Sequence, residues 1–180
     1  MENELDTPLA LQDLDALNAM DQDEFVAAVG ATFEHSPWVA EQAWAQRPFA
    51  SADALHAAML GVVRRAPQAV QIDFLCAHPE LAGREARAGT MTQDSVHEQR
   101  SAGLDALTPG EMAEMKRLNA EYRQRHGFPF IIAVRRHSRE QIFAELRRRV
   151  AQDSGSEFAA ALEQIGHITR LRLRTLLAAN

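Results

Sequence analysis

The stretch TPGEMAEMKRLNAEYRQRHG, Thr108 to Gly127, carries a complete set of helix signals. Thr108 and Glu111 form the two ends of a capping box, and Pro109 sits where the first helical residue needs no N–H partner. Met112, Met115, Leu118 and Tyr122 then recur at helical spacing, and Gly127 offers the left-handed residue that ends such a helix. The same grammar repeats on both sides. Downstream, Ser138 caps a segment bearing Ile142, Leu146 and Val150, and Phe158, Leu162, Ile165 and Leu176 line a long last helix. Upstream, Asp21 and Glu24 make a capping box ahead of Phe25, Val29 and Phe33. Ser36-Pro37 reads as an N-cap with proline at the first helical position, opening a helix through Trp38 and Trp44. Ser51 caps a further helix whose Leu55, Met59 and Val62 share a face, closed by Pro67.

Two segments depart from helical periodicity. Val70 to Cys76 and Phe128 to Val134 are short apolar runs, each readable as a short strand or a buried extended loop. Residues 83–92 and 152–156 read as polar connections. With no internal repeat or low-complexity block, the expectation is all-α: a single compact multi-helix domain over residues 1–180, with at most one or two short extended segments.

Composition sets outer bounds. The 180 residues suit one domain, 46% are hydrophobic and 24% charged, as in an ordinary globular protein. No apolar run approaches the roughly 20 residues of a membrane-spanning helix. The N-terminal MENELDTPLALQDLDALN is acidic and unlike a signal peptide, and Ala178-Ala179-Asn180 is not a peroxisomal tripeptide. Cys76 is the only cysteine, which excludes an intramolecular disulfide and a multi-cysteine zinc site, so a cytoplasmic location is expected. The net charge of -6 is unevenly spread: residues 1–115 hold 19 acids and 6 bases, residues 116–180 hold 6 acids and 13 bases. Such a basic half either meets an anionic partner or pairs with acidic helices of its own domain.

The sequence shows no P-loop, Rossmann glycine pattern, HExxH zinc helix or nucleophile elbow. His97-Glu98 begins like the zinc motif, but position 101 is serine. No metal site and no cofactor is therefore expected. Three groups of polar residues remain. His78 ends an apolar run and precedes Pro79, which biases it to extended backbone. It is either a core histidine satisfied by a backbone carbonyl or an imidazole at the rim of a cavity. Ser95, Glu98 and Gln99 share one face if their segment is a helix, and that face would suit a small molecule dense in donors and acceptors, or simply water. The third group is the segment from Gly127 to Arg135. Its extended backbone could hydrogen-bond a planar ring, with Arg135 meeting a carboxylate; alternatively it is a buried connector with Arg135 at the surface.

His-Pro-Glu-Leu-Ala-Gly at 78–83, Ser-x-x-Glu-Gln at 95–99 and Gly-Phe-Pro-Phe-Ile-Ile-Ala-Val-Arg at 127–135, in that order, resemble the OHCU (2-oxo-4-hydroxy-4-carboxy-5-ureidoimidazoline) decarboxylases. Glu34 to Trp38, Arg47-Pro48-Phe49 and Ile165 to Arg172 are similar to the same family, so the resemblance runs from about Leu14 to Leu176. Arg136 departs from it, standing where a small residue is expected. The resemblance implies an all-α homodimer that converts OHCU to (S)-allantoin and carbon dioxide, the last step from urate, without a cofactor. It implies His78 as catalytic acid, with Glu98 hydrogen-bonding the substrate hydroxyl or orienting His78. Pro79, Ser95, Gln99 and the backbone of Phe130, Ile131, Ile132, Ala133 and Val134 would be substrate contacts, with Arg135 holding an anionic group. Neither nucleic acid nor membrane is an expected partner.

Two other readings compete. A non-enzymatic all-α interaction or nucleic-acid-binding domain would use Arg147, Arg148, Arg149, Arg170, Arg172 and Arg174 on phosphates. A same-fold enzyme on a related ureido or hydantoin compound would keep His78 and change the contacts between Ser95 and Arg135.

Overall fold

The computed structural model describes residues 13–177; the acidic N-terminal twelve residues and Ala178 to Asn180 lie outside that range. Ten α-helices follow one another: α1 Leu14–Ala19, α2 Gln22–Val29, α3 Trp38–Ala43, α4 Ala52–Arg65, α5 Gln68–Cys76, α6 Arg84–Ala88, α7 Gln93–Ser101, α8 Pro109–His126, α9 Arg139–Val150 and α10 Ser154–Leu176. There is no β-sheet among the described residues, so the all-α expectation holds. No described helix is long and apolar enough to cross a membrane.

The chain divides into two compact units, one ending at Ala66 and resuming at Thr169, the other running from Pro67 to Ile168. In the first, Leu17, Phe25, Val29, Phe33, Val39, Leu55, Met59 and Val63 are fully buried. The Asp21–Glu24 capping box forms at the head of α2, and Ser51 caps α4. Ser36 does not cap α3: Pro37 takes the cap position itself, and the Ser36 hydroxyl donates to the Glu34 carbonyl at 3.0 Å. Glu34, wholly buried, pairs with the Arg172 guanidinium at 2.9 Å, so neither charge is left alone in the core.

The second unit contains the segments that periodicity left open. Residues 70–76 are helical, within α5, rather than a strand or extended loop. Their apolar side chains are distributed around the helix instead of forming a stripe: Phe74 and Leu75 are buried while Val70 is exposed, so no 3.6-residue signal marks them. The connection expected at 83–92 contains the short helix α6. Phe128 to Ala133 is an extended loop without a strand partner, followed by a 3₁₀ turn at Val134–Arg136. The Thr108–Glu111 and Ser138–Gln141 capping boxes both form, and Gly127 ends α8 at φ +82°.

Candidate active site

The His78 loop begins where α5 stops. The Ala77 N–H still bonds to the Asp73 carbonyl at 3.1 Å and the His78 N–H to the Leu75 carbonyl at 3.1 Å. Pro79 has no N–H to continue the ladder. His78 is 5% exposed, and its ring lies edge-on to Phe74. Its Nδ1 is 3.3 Å from the Phe74 carbonyl. A carbonyl only accepts, so Nδ1 carries the proton in this contact.

After Pro79 the chain makes a tight turn that other residues hold in place. Ala82 stands at φ +47°, in the left-handed region that side-chain-bearing residues rarely adopt. Gly83 is needed for space: a Cβ there would lie 2.6 Å from the Glu80 Cβ. Gln99 spans the turn, its Oε1 accepting from the Ala82 N–H at 2.9 Å and its Nε2 donating to the Glu80 carbonyl at 3.4 Å. Asn119 donates to the Leu81 carbonyl at 2.9 Å, and Arg123 to the Glu80 carboxylate at 2.8 Å.

Residues 93–101 are helical, so Ser95, Glu98 and Gln99 do share a face of α7. Thr92 caps this helix through the Ser95 N–H. Ser95 and Gln99 are buried, Glu98 is half-buried and His97 is exposed. The same helix packs on the Val134–Arg136 turn. Through Gln99 and this packing, α7 brings the 78–83 and 127–135 motifs together.

In the third motif Phe128, Phe130, Ile131, Ile132, Ala133 and Val134 are buried, and Arg135 and the departing Arg136 are exposed, as in the connector reading. A buried polar cluster fixes the path. Arg149, 3% exposed, donates to the Ile131 carbonyl at 2.9 Å and lies 4.6 Å over the Phe130 ring. It pairs with Glu157 at 3.0 Å, and Glu157, 2% exposed, also accepts from the Tyr122 hydroxyl at 2.5 Å. Burial, reinforced by the adjacent Glu157 carboxylate, pushes the Tyr122 hydroxyl far above its ordinary range, so it stays a donor. Gln164 accepts from the Ala133 N–H at 2.9 Å, and the Ala133 carbonyl meets His137 Nδ1 at 3.0 Å. The Ile131 and Ala133 carbonyls and the Ala133 N–H are thus bonded within the protein.

Asn119, Arg123 and Gln164 escaped sequence reasoning, and Arg149 entered it only as a phosphate contact, because each acts across the fold on a residue far away in the chain. The one signal was polarity out of place, an asparagine between Leu118 and Tyr122 on the apolar face of α8. The six arginines of the phosphate-binding reading are meanwhile matched by carboxylates. Arg147 meets Glu114, Arg148 meets Glu145, and Arg170 and Arg174 share Asp53. Acidic and basic helices thus pair within the units, and the arginine row a phosphate backbone would need is already engaged.

A family model described as OHCU decarboxylase matches residues 18–174. The chain is 43% identical over 160 residues to the 2-oxo-4-hydroxy-4-carboxy-5-ureidoimidazoline decarboxylase of Haloferax volcanii, covering 89% of this chain and 93% of that one. It is 38% identical over 168 residues to the Mus musculus protein of the same name, covering 93% and 94%. Among solved structures, the crystal structure of an (S)-allantoin synthase superposes with a TM-score of 0.73 at 29% identity, covering 92% of this chain and 54% of that chain. With its motifs in register, its helical architecture and these matches over nearly its whole length, the chain belongs to the OHCU decarboxylase family.

Proposed function

We propose that the protein decarboxylates OHCU to (S)-allantoin and carbon dioxide, with His78 as the general acid. One observation carries the reading: α7 ties the His78 loop, through Gln99 at Glu80 and Ala82, to the 134–136 turn on which it packs. Three motifs distant in sequence thereby meet in one unit. The names of the relatives supply the substrate, and the family model, spanning residues of both units, supports one functional domain.

The substrate carries its carboxylate on a ring carbon that also bears a hydroxyl, beside a conjugated system. When the bond to the carboxylate breaks, carbon dioxide leaves and the electron pair moves into the ring, so the substrate is its own electron sink. The protein must hold the carboxylate out of the ring plane, stabilise the spreading charge with fixed donors and deliver one proton to one face of the ring. His78 Nε2–H gives that proton and regains it from solvent. Glu98 either orients His78 or binds the substrate hydroxyl, and its negative charge favours departure of the carboxylate. Pro79, Ser95, Gln99 and the backbone of the 130–134 segment form the walls that read ring and ureido groups. Arg135, exposed at the end of this segment, meets an anionic group of the substrate.

The test generates OHCU in place from urate, with a urate oxidase and a hydroxyisourate hydrolase, and follows optical activity by circular dichroism. Addition of the protein should speed the appearance of (S)-allantoin; an unchanged rate with folded protein would transfer the reading to a related ureido or hydantoin substrate. The family resemblance also supports a homodimer, which sedimentation would register as twice the 20.0 kDa chain mass. Cell fractionation would check the cytoplasmic location.

A further inference from the structure

The His78 turn is held in a conformation its own residues do not favour. Ala82 at φ +47° lies in a region costly for a residue with a side chain, and such a residue persists there only where its surroundings impose the geometry. The surroundings are specific. Gln99 receives the Ala82 N–H, and Asn119, reaching from α8, donates to the carbonyl of the preceding residue, Leu81. Asn119 is 3% exposed, and this is the one hydrogen bond its side chain makes among the described residues. A buried amide whose hydrogen bonding serves a single loop carbonyl does little to join helices of the core. What it does is orient the Leu81–Ala82 peptide, and so set the entry of Ala82 into the left-handed region. Leu81 is buried and Gly83 leaves no room for a Cβ, so the turn has little freedom to settle elsewhere once Leu81 is held.

We propose that Asn119 is a positioning residue for His78, acting through the Leu81 carbonyl to keep the left-handed turn at Ala82 and thereby the aim of the imidazole four residues earlier. It touches no reacting atom in this role. The inference rests on the decarboxylase reading given above and adds to it a residue from outside the three motifs.

A hydrogen bond of this kind matters to rate through geometry, since a displacement of about 1 Å at a catalytic group can cost roughly 100-fold. Asn119→Leu keeps the side-chain size and removes the donor; Asn119→Ser removes it with less bulk. In the OHCU assay, at a temperature where circular dichroism shows each variant folded, kcat should fall about 10- to 100-fold, with KM changing less than about threefold. The discriminating measurement is rescue. Ala82→Gly makes the left-handed turn nearly free of steric cost. Added to Asn119→Leu or Asn119→Ser, it should restore a large part of kcat. If the single variants keep wild-type kcat, or lose it through KM alone, or if Ala82→Gly restores nothing in either background, the positioning role is overturned. Wild-type protein is assayed alongside: its inactivity on OHCU would defeat the functional reading itself, whereas an active wild type with unaffected Asn119 variants would defeat this inference alone.

Discussion

His78→Ala should remove nearly all turnover while leaving the fold intact. A positioned general acid contributes about 10²–10⁴-fold, and the loss should sit in kcat because no proton can then be delivered at the transition state. The side chain lies 3.3 Å from the Phe74 carbonyl and edge-on to the Phe74 ring, both within its own segment of the chain. The turn beyond it is held by Gln99, Asn119 and Arg123 independently of the imidazole. The far-ultraviolet spectrum and melting temperature should therefore stay close to wild type. (S)-Allantoin formation at the wild-type rate by a folded His78→Ala protein would remove His78 from the mechanism.

The largest effect on stability is expected at Glu157. Glu157→Ala leaves the Arg149 guanidinium, 3% exposed, without its counter-charge and the Tyr122 hydroxyl without its acceptor. Breaking one side of a buried pair costs about 3–5 kcal/mol. In a chain of this size that lowers Tm by roughly 6–20 °C. Removing both charges with Arg149→Met and Glu157→Leu should recover much of the loss, since two apolar side chains carry no desolvation penalty. Arg149 also holds the Ile131 carbonyl, so the double variant separates stability from site geometry: Tm returns while kcat stays low. A Glu157→Ala protein melting within a degree or two of wild type would show that the cluster is not a source of stability.

What could be read from sequence was whatever is decided within one helical turn. The capping boxes at Asp21 and Thr108 and the N-cap at Ser138 join a side chain to a backbone three residues away, and all three form. Helix α5 was illegible because its apolar residues have no preferred side, and α6 because its three charged residues and two alanines carry no stripe. The cap at Ser36 was misplaced by one residue because the hydroxyl found the Glu34 carbonyl instead. In the site, the shared face of Ser95, Glu98 and Gln99 was legible once a helix was assumed. That Gln99 would grip the turn after His78, and that Arg149 and Gln164 would hold the 131–133 backbone, depends on side chains more than ten residues away in the chain.

The buried pair of Glu34 and Arg172 joins positions 138 residues apart, both within the unit that begins the described chain and resumes at Thr169. During synthesis at about 5–20 residues per second, Glu34 is made roughly 7–28 seconds before its guanidinium partner exists. The unit that is started first is thus completed last, and for that interval a carboxylate destined for a dry interior must remain in water. Translation order makes this unit the part of the nascent chain most exposed to chaperones and proteases, and truncations that remove Arg172 should be cleared from cells far faster than substitutions in the His78 turn.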